Sequence, residues 1–192
     1  MDIKSIGVVG AGQMGNGIAH VCALAGYDVV MTDISADALS KAMALIEKNM
    51  ARQVAREKIS EAEMAEALGR IRTTTTLTDV GPSDLIIEAA TERETVKQAI
   101  FEDLLPHIKP ETILTSNTSS ISITRLASTT DRPERFMGFH FMNPVPLMEL
   151  VELIRGIATD EETFRTLEGV VASLGKTAAT AEDFPAFIVN RV

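Results

Sequence analysis

Tryptophan is missing from this sequence, and cysteine occurs once, as Cys22. A single cysteine excludes a disulfide framework, so the fold must be held by a core rather than by covalent staples. Cys22 falls on the apolar face of the first helical pattern and reads as a small core residue. No apolar run is long enough to span a bilayer. No basic, apolar leader precedes the first strand pattern at Ile3, which together with the lone thiol points to a cytoplasmic, reducing location. Positive charge is in deficit: 18 Lys and Arg stand against 27 Asp and Glu, a net charge of −9. That balance disfavours nucleic acid and acidic membranes as partners, and an anionic ligand must find a local basic patch against the overall field. No metal site, internal repeat or low-complexity segment is expected. What is present is ordinary: 192 residues, 45% hydrophobic and 23% charged, describe a globular chain with one good core and part of a second domain.

The chain is organised around residues 3–33. A short apolar run at residues 6–9 predicts a buried parallel strand. Gly10, Ala11, Gly12, Gln13, Met14 and Gly15 follow at once. Met14, Ile18, Val21, Cys22 and Ala25 then recur at helical spacing, and Gly26 stands where a helix-ending glycine belongs. A second apolar run, residues 27–31, leads to Asp33. Gly10 permits the tight turn, Gly12 lets a pyrophosphate approach the backbone, and Gly15 lets the helix lie close on the strand. The helix N-terminus offers free N–H groups to phosphates. Asp33 can accept hydrogen bonds from both ribose hydroxyls and would repel a 2′-phosphate, so the cofactor reading is NAD rather than NADP. A glycine turn built for packing alone leaves Asp33 unexplained. The expected fold is α/β: a Rossmann-like, doubly wound, mostly parallel sheet.

Further along, Ser35 is a candidate N-cap for a long helix over residues 36–56. Ser60 and Glu63 form a candidate capping box for a second helix through Leu68. This pair exceeds a minimal crossover and reads as an insertion after the second strand. Arg52, Arg56 and Lys58 cluster where the two helices meet, and on composition alone they read as a solvated face. Strands are expected over 71–77, 84–89, 112–116, 135–142 and 176–180, with helices over 94–107, 123–128 and 160–174. Residues 147–154 fit strand or helix; strand is chosen because the preceding turn is short and Gly156 closes the run. Asn117 and Ser119 sit where one strand ends, the edge at which open α/β sheets bind ligands. Phe184, Phe187, Ile188 and Val192 start an apolar helix that needs something to pack on. We therefore divide the chain into a dinucleotide-binding domain over 1–183 and, over 184–192, a linker that begins a further helical domain; a terminal helix docking back on the sheet is the alternative.

Three histidines are present. His20 reads as a structural residue near the edge of the fold, and His107 sits at a helix C-terminus, where a cation is stabilised. His140 leaves a buried strand just before the forced turn at Asn143-Pro144-Val145-Pro146. The returning segment brings Glu152 or, equally well on spacing, Glu149. A carboxylate on one ring nitrogen would fix the tautomer, and the other nitrogen could take a proton from an alcohol. A purely structural His–Glu pair fits the spacing as well.

GVVGAGQMGNGIA, SNTSSISI, MGFHFMNPVPLMELVELIRG and FPAFIVNRV, in this order and spacing, resemble the L-3-hydroxyacyl-CoA dehydrogenase family, with the nearest likeness to its bacterial 3-hydroxybutyryl-CoA branch. The resemblance covers essentially the whole chain, and its HFMNPVPLMELVE block is far more specific than the glycine loop. It implies a reversible oxidation of the 3-hydroxyl of an acyl-CoA with NAD, His140 as catalytic base and Glu152 as its acid partner. It further implies Ser119 and Asn190 at the substrate oxygen, and Glu92, Lys97, Asn117, Ser119 and Asn143 as cofactor-lining positions. Without it, Lys97 reads as a solvated helix charge. It turns the basic cluster into a phosphate patch for CoA, with Arg56 and Asn49 at substrate-binding positions. It also implies a homodimer through a helical C-terminal domain that this chain does not include. The competing readings are a related hydroxyacid or gulonate dehydrogenase and a catalytically silent NAD-binding protein.

Overall fold

A computed structural model describes residues 1–183. In chain order the strands are β1 (Ser5–Val9), β2 (Asp28–Thr32), β3 (Ile71–Thr74), β4 (Leu85–Glu88), β5 (Ile113–Ser116), β6 (Phe136–Phe141), β7 (Leu150–Arg155) and β8 (Thr177–Glu182). The helices are α1 (Gln13–Leu24), α2 (Ala36–Ala55), α3 (Glu61–Gly69), α4 (Glu94–Leu104), α5 (Ile123–Ala127) and α6 (Glu161–Ser173).

The strands form one sheet in the order β3-β2-β1-β4-β5-β6-β7-β8. From β3 to β6 every pair is parallel; β7 runs antiparallel to β6, and β8 parallel to β7. This agrees with the expected doubly wound, mostly parallel fold class, and a strand pair, β7 and β8, extends the sheet at one edge. The strand order reverses direction between β1 and β4, and such a switch point opens a crevice at the strands' C-terminal ends.

Two apolar layers sandwich the sheet, as burial on both faces requires. Ile6, Val8, Met31, Phe139 and Leu153 pack with α1, α2 and α6 residues such as Ile18, Ile46 and Leu167. Val9, Ile86, Leu114, Phe136 and Ile154 pack with Phe101 and Leu104 of α4 and Leu126 of α5. Cys22 is fully buried in the first layer, and burial pushes its thiol up to about 12.

Local chemistry fixes the element ends. Ser35 Oγ accepts from the N–H of Ala38, Asp160 from that of Thr163, and the Ser60–Glu63 capping box is complete. Several expected ends shift. The strand expected over 71–77 stops at Thr74 and gives way to a 3₁₀ turn, Leu77–Val80. The helix expected through residue 107 ends at Leu104, and Leu105–His107 tighten into a 3₁₀ turn around Pro106, which cannot donate to a helical ladder. The returning strand starts at Leu150 rather than at Leu147, whose side chain is exposed. The proposed linker over 184–192 lies outside the described residues, as does the further helical domain and its dimer contact.

Candidate active site

The glycine turn ends in α1 with backbone donors and little else. Gly12 is its N-cap, no side chain caps it, and no acid lies in its first turn. Gly10 has φ +104°, and a Cβ on Gly15 would lie 1.8 Å from the Gly10 carbonyl oxygen, so neither position accepts another residue without backbone movement. At Gly12, by contrast, a Cβ would meet no atom within 4 Å. The space above Gly12 is therefore open to a ligand. Asp33 follows β2; its carboxylate accepts from Ala11 N (2.8 Å) and Ser35 N (2.9 Å), which ties the glycine turn to the start of α2.

Gly10, Gly12, Gln13, Met14 and Asp33 line a groove of about 620 Å³ that continues past Leu77 and Ile100. It shares Met14, Ala89 and Ala90 with a second cavity of about 350 Å³. Glu92, Lys97, Asn117, Ser119, His140 and Asn143 line that second cavity. The cofactor-lining positions named from the resemblance thus fall on a cavity that adjoins the groove, and the glycine turn, open space and uncapped helix end of the groove fit a dinucleotide. Asn117 Oδ1 accepts from Phe141 N (2.8 Å), while Asn143 Oδ1 accepts from Gln13 Nε2 (3.2 Å), linking the far wall back to the glycine turn.

His140 and Glu152 are paired directly across β6 and β7. Side chains alternate along a strand, so Phe139 and Phe141 go to one layer while His140 turns to the other face with Glu152. The register leaves Glu149 before the first residue of β7. His140 Nδ1 lies 2.7 Å from Glu152 Oε2, with Glu152 fully buried and His140 8% exposed. Such a carboxylate orients the ring and stabilises an imidazolium.

A buried ion pair that the sequence reading missed supports the floor. Lys97 Nζ donates to both oxygens of Glu88 (2.8 Å each) and lies 3.4 Å from Glu92 Oε2. Glu88 also accepts from Ala90 N and Ser116 Oγ. Glu92 accepts from Thr118 Oγ1, Ser119 N and Ser120 Oγ, so it ties down the loop that carries Ser119. Burial opposes the charge on Glu92, but the Thr118 hydroxyl, the Lys97 ammonium and the Ser119 N–H hold its carboxyl below the ordinary value. Lys97 is 1% exposed, which corrects its reading as a solvated charge. The available signal was Glu88 itself: an acid at the end of an apolar strand needs a partner.

A third cavity, about 530 Å³, opens between α2 and the β6–β7 connection. His20, Asn49, Arg52, Gln53 and Arg56 form one wall, and Pro144, Pro146 and Leu147 the other. Lys58 is not among its lining residues. His20 is not at an edge: it is 1% exposed, 2.9 Å from Gln53 Oε1 through Nε2. Burial lowers its pKa, the bond to Gln53 opposes that, and the nearby Lys176 charge adds to the lowering. Asn190 lies outside the described residues. Among the described residues no group of three His, Cys, Asp or Glu is placed to hold a metal, and no helix is long and apolar enough to cross a membrane.

The family described as "3-hydroxyacyl-CoA dehydrogenase, NAD binding domain" matches residues 5–184. The chain belongs to the 3-hydroxyacyl-CoA dehydrogenase family. It is 62% identical over 190 residues to a 3-hydroxybutyryl-CoA dehydrogenase of Bradyrhizobium diazoefficiens, covering 99% of this chain and 65% of that relative. A probable 3-hydroxybutyryl-CoA dehydrogenase of Bacillus subtilis is 45% identical over 192 residues, 100% of this chain and 67% of the relative. The crystal structure of (S)-3-hydroxybutyryl-CoA dehydrogenase from Ralstonia eutropha superposes with a TM-score of 0.96 at 46% identity, over 100% of this chain and 68% of that one. The chain thus matches the family's NAD-binding domain and spans 65–68% of the length of these relatives.

Proposed function

We propose that this chain supplies the dinucleotide-binding and proton-transfer part of an NAD-dependent L-3-hydroxyacyl-CoA dehydrogenase, acting on 3-hydroxybutyryl-CoA or a close homologue. The observation that carries the reading is the His140–Glu152 pair, 2.7 Å apart at a cavity that shares Met14, Ala89 and Ala90 with the glycine-turn groove. The three relatives above bear 3-hydroxybutyryl-CoA dehydrogenase names, which supports the choice of substrate.

In this reading Gly12 and the N–H groups opening α1 hold the cofactor's pyrophosphate. Asp33 takes the adenosine ribose and disfavours a 2′-phosphate. The nicotinamide, when bound, supplies the hydride acceptor. His140 removes the 3-hydroxyl proton in oxidation and returns it in reduction. Glu152 stabilises the ring while it carries that proton. Ser119 holds the substrate oxygen, and Glu92 orients the Ser119 loop from below. Arg52 and Arg56 provide the basic patch that an acidic chain needs for a CoA nucleotide, and Asn49 beside them adds a neutral hydrogen-bonding group.

The test is NADH oxidation by acetoacetyl-CoA in the full-length protein, with NADPH and free acetoacetate as alternatives. CoA-dependent turnover preferring NADH is expected. Turnover of the free acid but not the thioester would retain the proton-transfer reading and overturn the substrate.

A further inference from the structure

Lys176 belongs neither to the groove nor to the cavity around His140. It follows Gly175, which closes α6 with φ +67°, and immediately precedes β8. Its half-buried side chain reaches the β6–β7 connection, where Nζ donates to the carbonyl oxygens of Val145 (2.8 Å) and Met148 (2.6 Å). These carbonyls bracket Pro146 and Leu147, two of the residues that form the far wall of the cleft opposite Asn49 and Arg56.

Within the segment, Leu147 N and Met148 N donate to Pro144 O (2.9 and 3.0 Å), which shapes the turn but does not tie it to the rest of the fold. Thr177 N donates to Glu149 O (2.8 Å), and Val145 sits against α1 so closely at Gly17 that a Cβ there would lie 2.8 Å from Val145 Cβ. Pro144 and Pro146 have no N–H to offer, and Leu147 is 72% exposed. The ammonium donates to two carbonyls at once through charge-assisted bonds, which an apolar side chain of that length cannot replace and a shorter neutral amide can replace only without the charge.

We propose that Lys176 is a positioning residue for the nucleotide-bearing end of the thioester substrate: it fixes the wall formed by residues 144–148 at the distance from α2 that the CoA moiety requires. This rests on the proposed reading of the cleft. Lys176 touches no reacting atom, and its effect falls on recognition of the CoA handle rather than on proton transfer or dinucleotide binding.

The experiment compares acetoacetyl-CoA with the acetoacetyl thioester of N-acetylcysteamine, which lacks the nucleotide, in the full-length protein and its Lys176→Met variant. For the variant we expect KM for acetoacetyl-CoA to rise roughly tenfold, the size of one lost charge-assisted hydrogen bond. We expect kcat, the KM of the short thioester and the Kd of NADH to stay within about twofold, changes too small to represent a lost contact. Lys176→Arg, which keeps two donors, should restore most of the discrimination. An equal rise for both thioesters, a parallel loss of NADH binding, or no change at all overturns the proposal. If Lys176→Met does not yield folded protein, Lys176→Gln gives the same comparison: a rise confined to the CoA ester supports the proposal, and an unselective rise overturns it. If the unsubstituted protein itself treats both thioesters alike, the cleft reading fails first and the proposal falls with it.

Discussion

Replacing Glu152 by glutamine isolates the charge of the His140 partner from its shape. The carboxylate is fully buried and 2.7 Å from His140 Nδ1, with the two residues in direct register across β6 and β7. The amide keeps an acceptor at that distance, so the ring orientation survives and only the negative charge is lost. A hydrogen bond to a charged partner contributes roughly 1.5–3 kcal/mol, and here the charge counts mainly while the ring carries a proton. At about 1.4 kcal/mol per decade, kcat for acetoacetyl-CoA reduction should fall roughly 10- to 150-fold. NADH affinity, read by quenching of cofactor fluorescence, should not change, because the amide keeps the shape of the cavity wall and Glu152 itself is fully buried behind His140. KM should move less than kcat. An unchanged kcat would refute the claim that the pair handles the proton. A loss of NADH binding matching the loss of kcat would instead assign the pair to structure.

Gly12→Ala should leave the protein folded, since the added Cβ meets no atom within 4 Å, yet raise the Kd for NADH at least tenfold by filling the approach to the backbone; unchanged affinity in a calorimetric titration would remove the pyrophosphate from Gly12. Lys97→Met strands Glu88 in the interior and should destabilise by about 3–5 kcal/mol, most of it recovered by adding Glu88→Gln; a cost below about 1 kcal/mol in urea unfolding would contradict the buried pair. For Asp84, partial burial raises the pKa, but Lys109 and the N–H groups of Lys4 and Ser5 outweigh it and hold the carboxyl at about 2. A depressed folded value means that its stabilisation is fully present above about pH 4 and is lost as pH falls towards about 2. Asp84→Asn should remove that part of the pH slope of stability, about 1 kcal/mol after allowance for solvent screening, and identical slopes would contradict the assignment.

The fold class and the glycine turn were legible because their signals are local: buried strand runs, glycines at fixed spacing and caps at Ser35 and Ser60. The partner of His140 was less so. Spacing left Glu149 and Glu152 equal, and the strand register, set by eight connecting residues (142–149) and by packing of Phe139 and Leu153, brings only Glu152 opposite. The Glu88–Lys97 pair was only half legible: Glu88, at the end of an apolar strand, calls for a partner, but the sequence does not say which. A lysine on a helix is ordinarily exposed, and nothing in α4 marks Lys97 as turning inwards; the fold of α4 onto β4 decides it. His20 was read as a structural residue near the edge of the fold; it is buried instead, and its partner, Gln53, lies 33 residues away, beyond the reach of local spacing.

The measurement that bears most directly on the account is His140→Ala in the full-length protein, with acetoacetyl-CoA reduction and NADH binding followed side by side. The account predicts that turnover falls by roughly 10²–10⁴ while the Kd for NADH holds. Turnover that survives, or cofactor binding that falls with it, would contradict the claim that His140 carries the proton at the end of this groove.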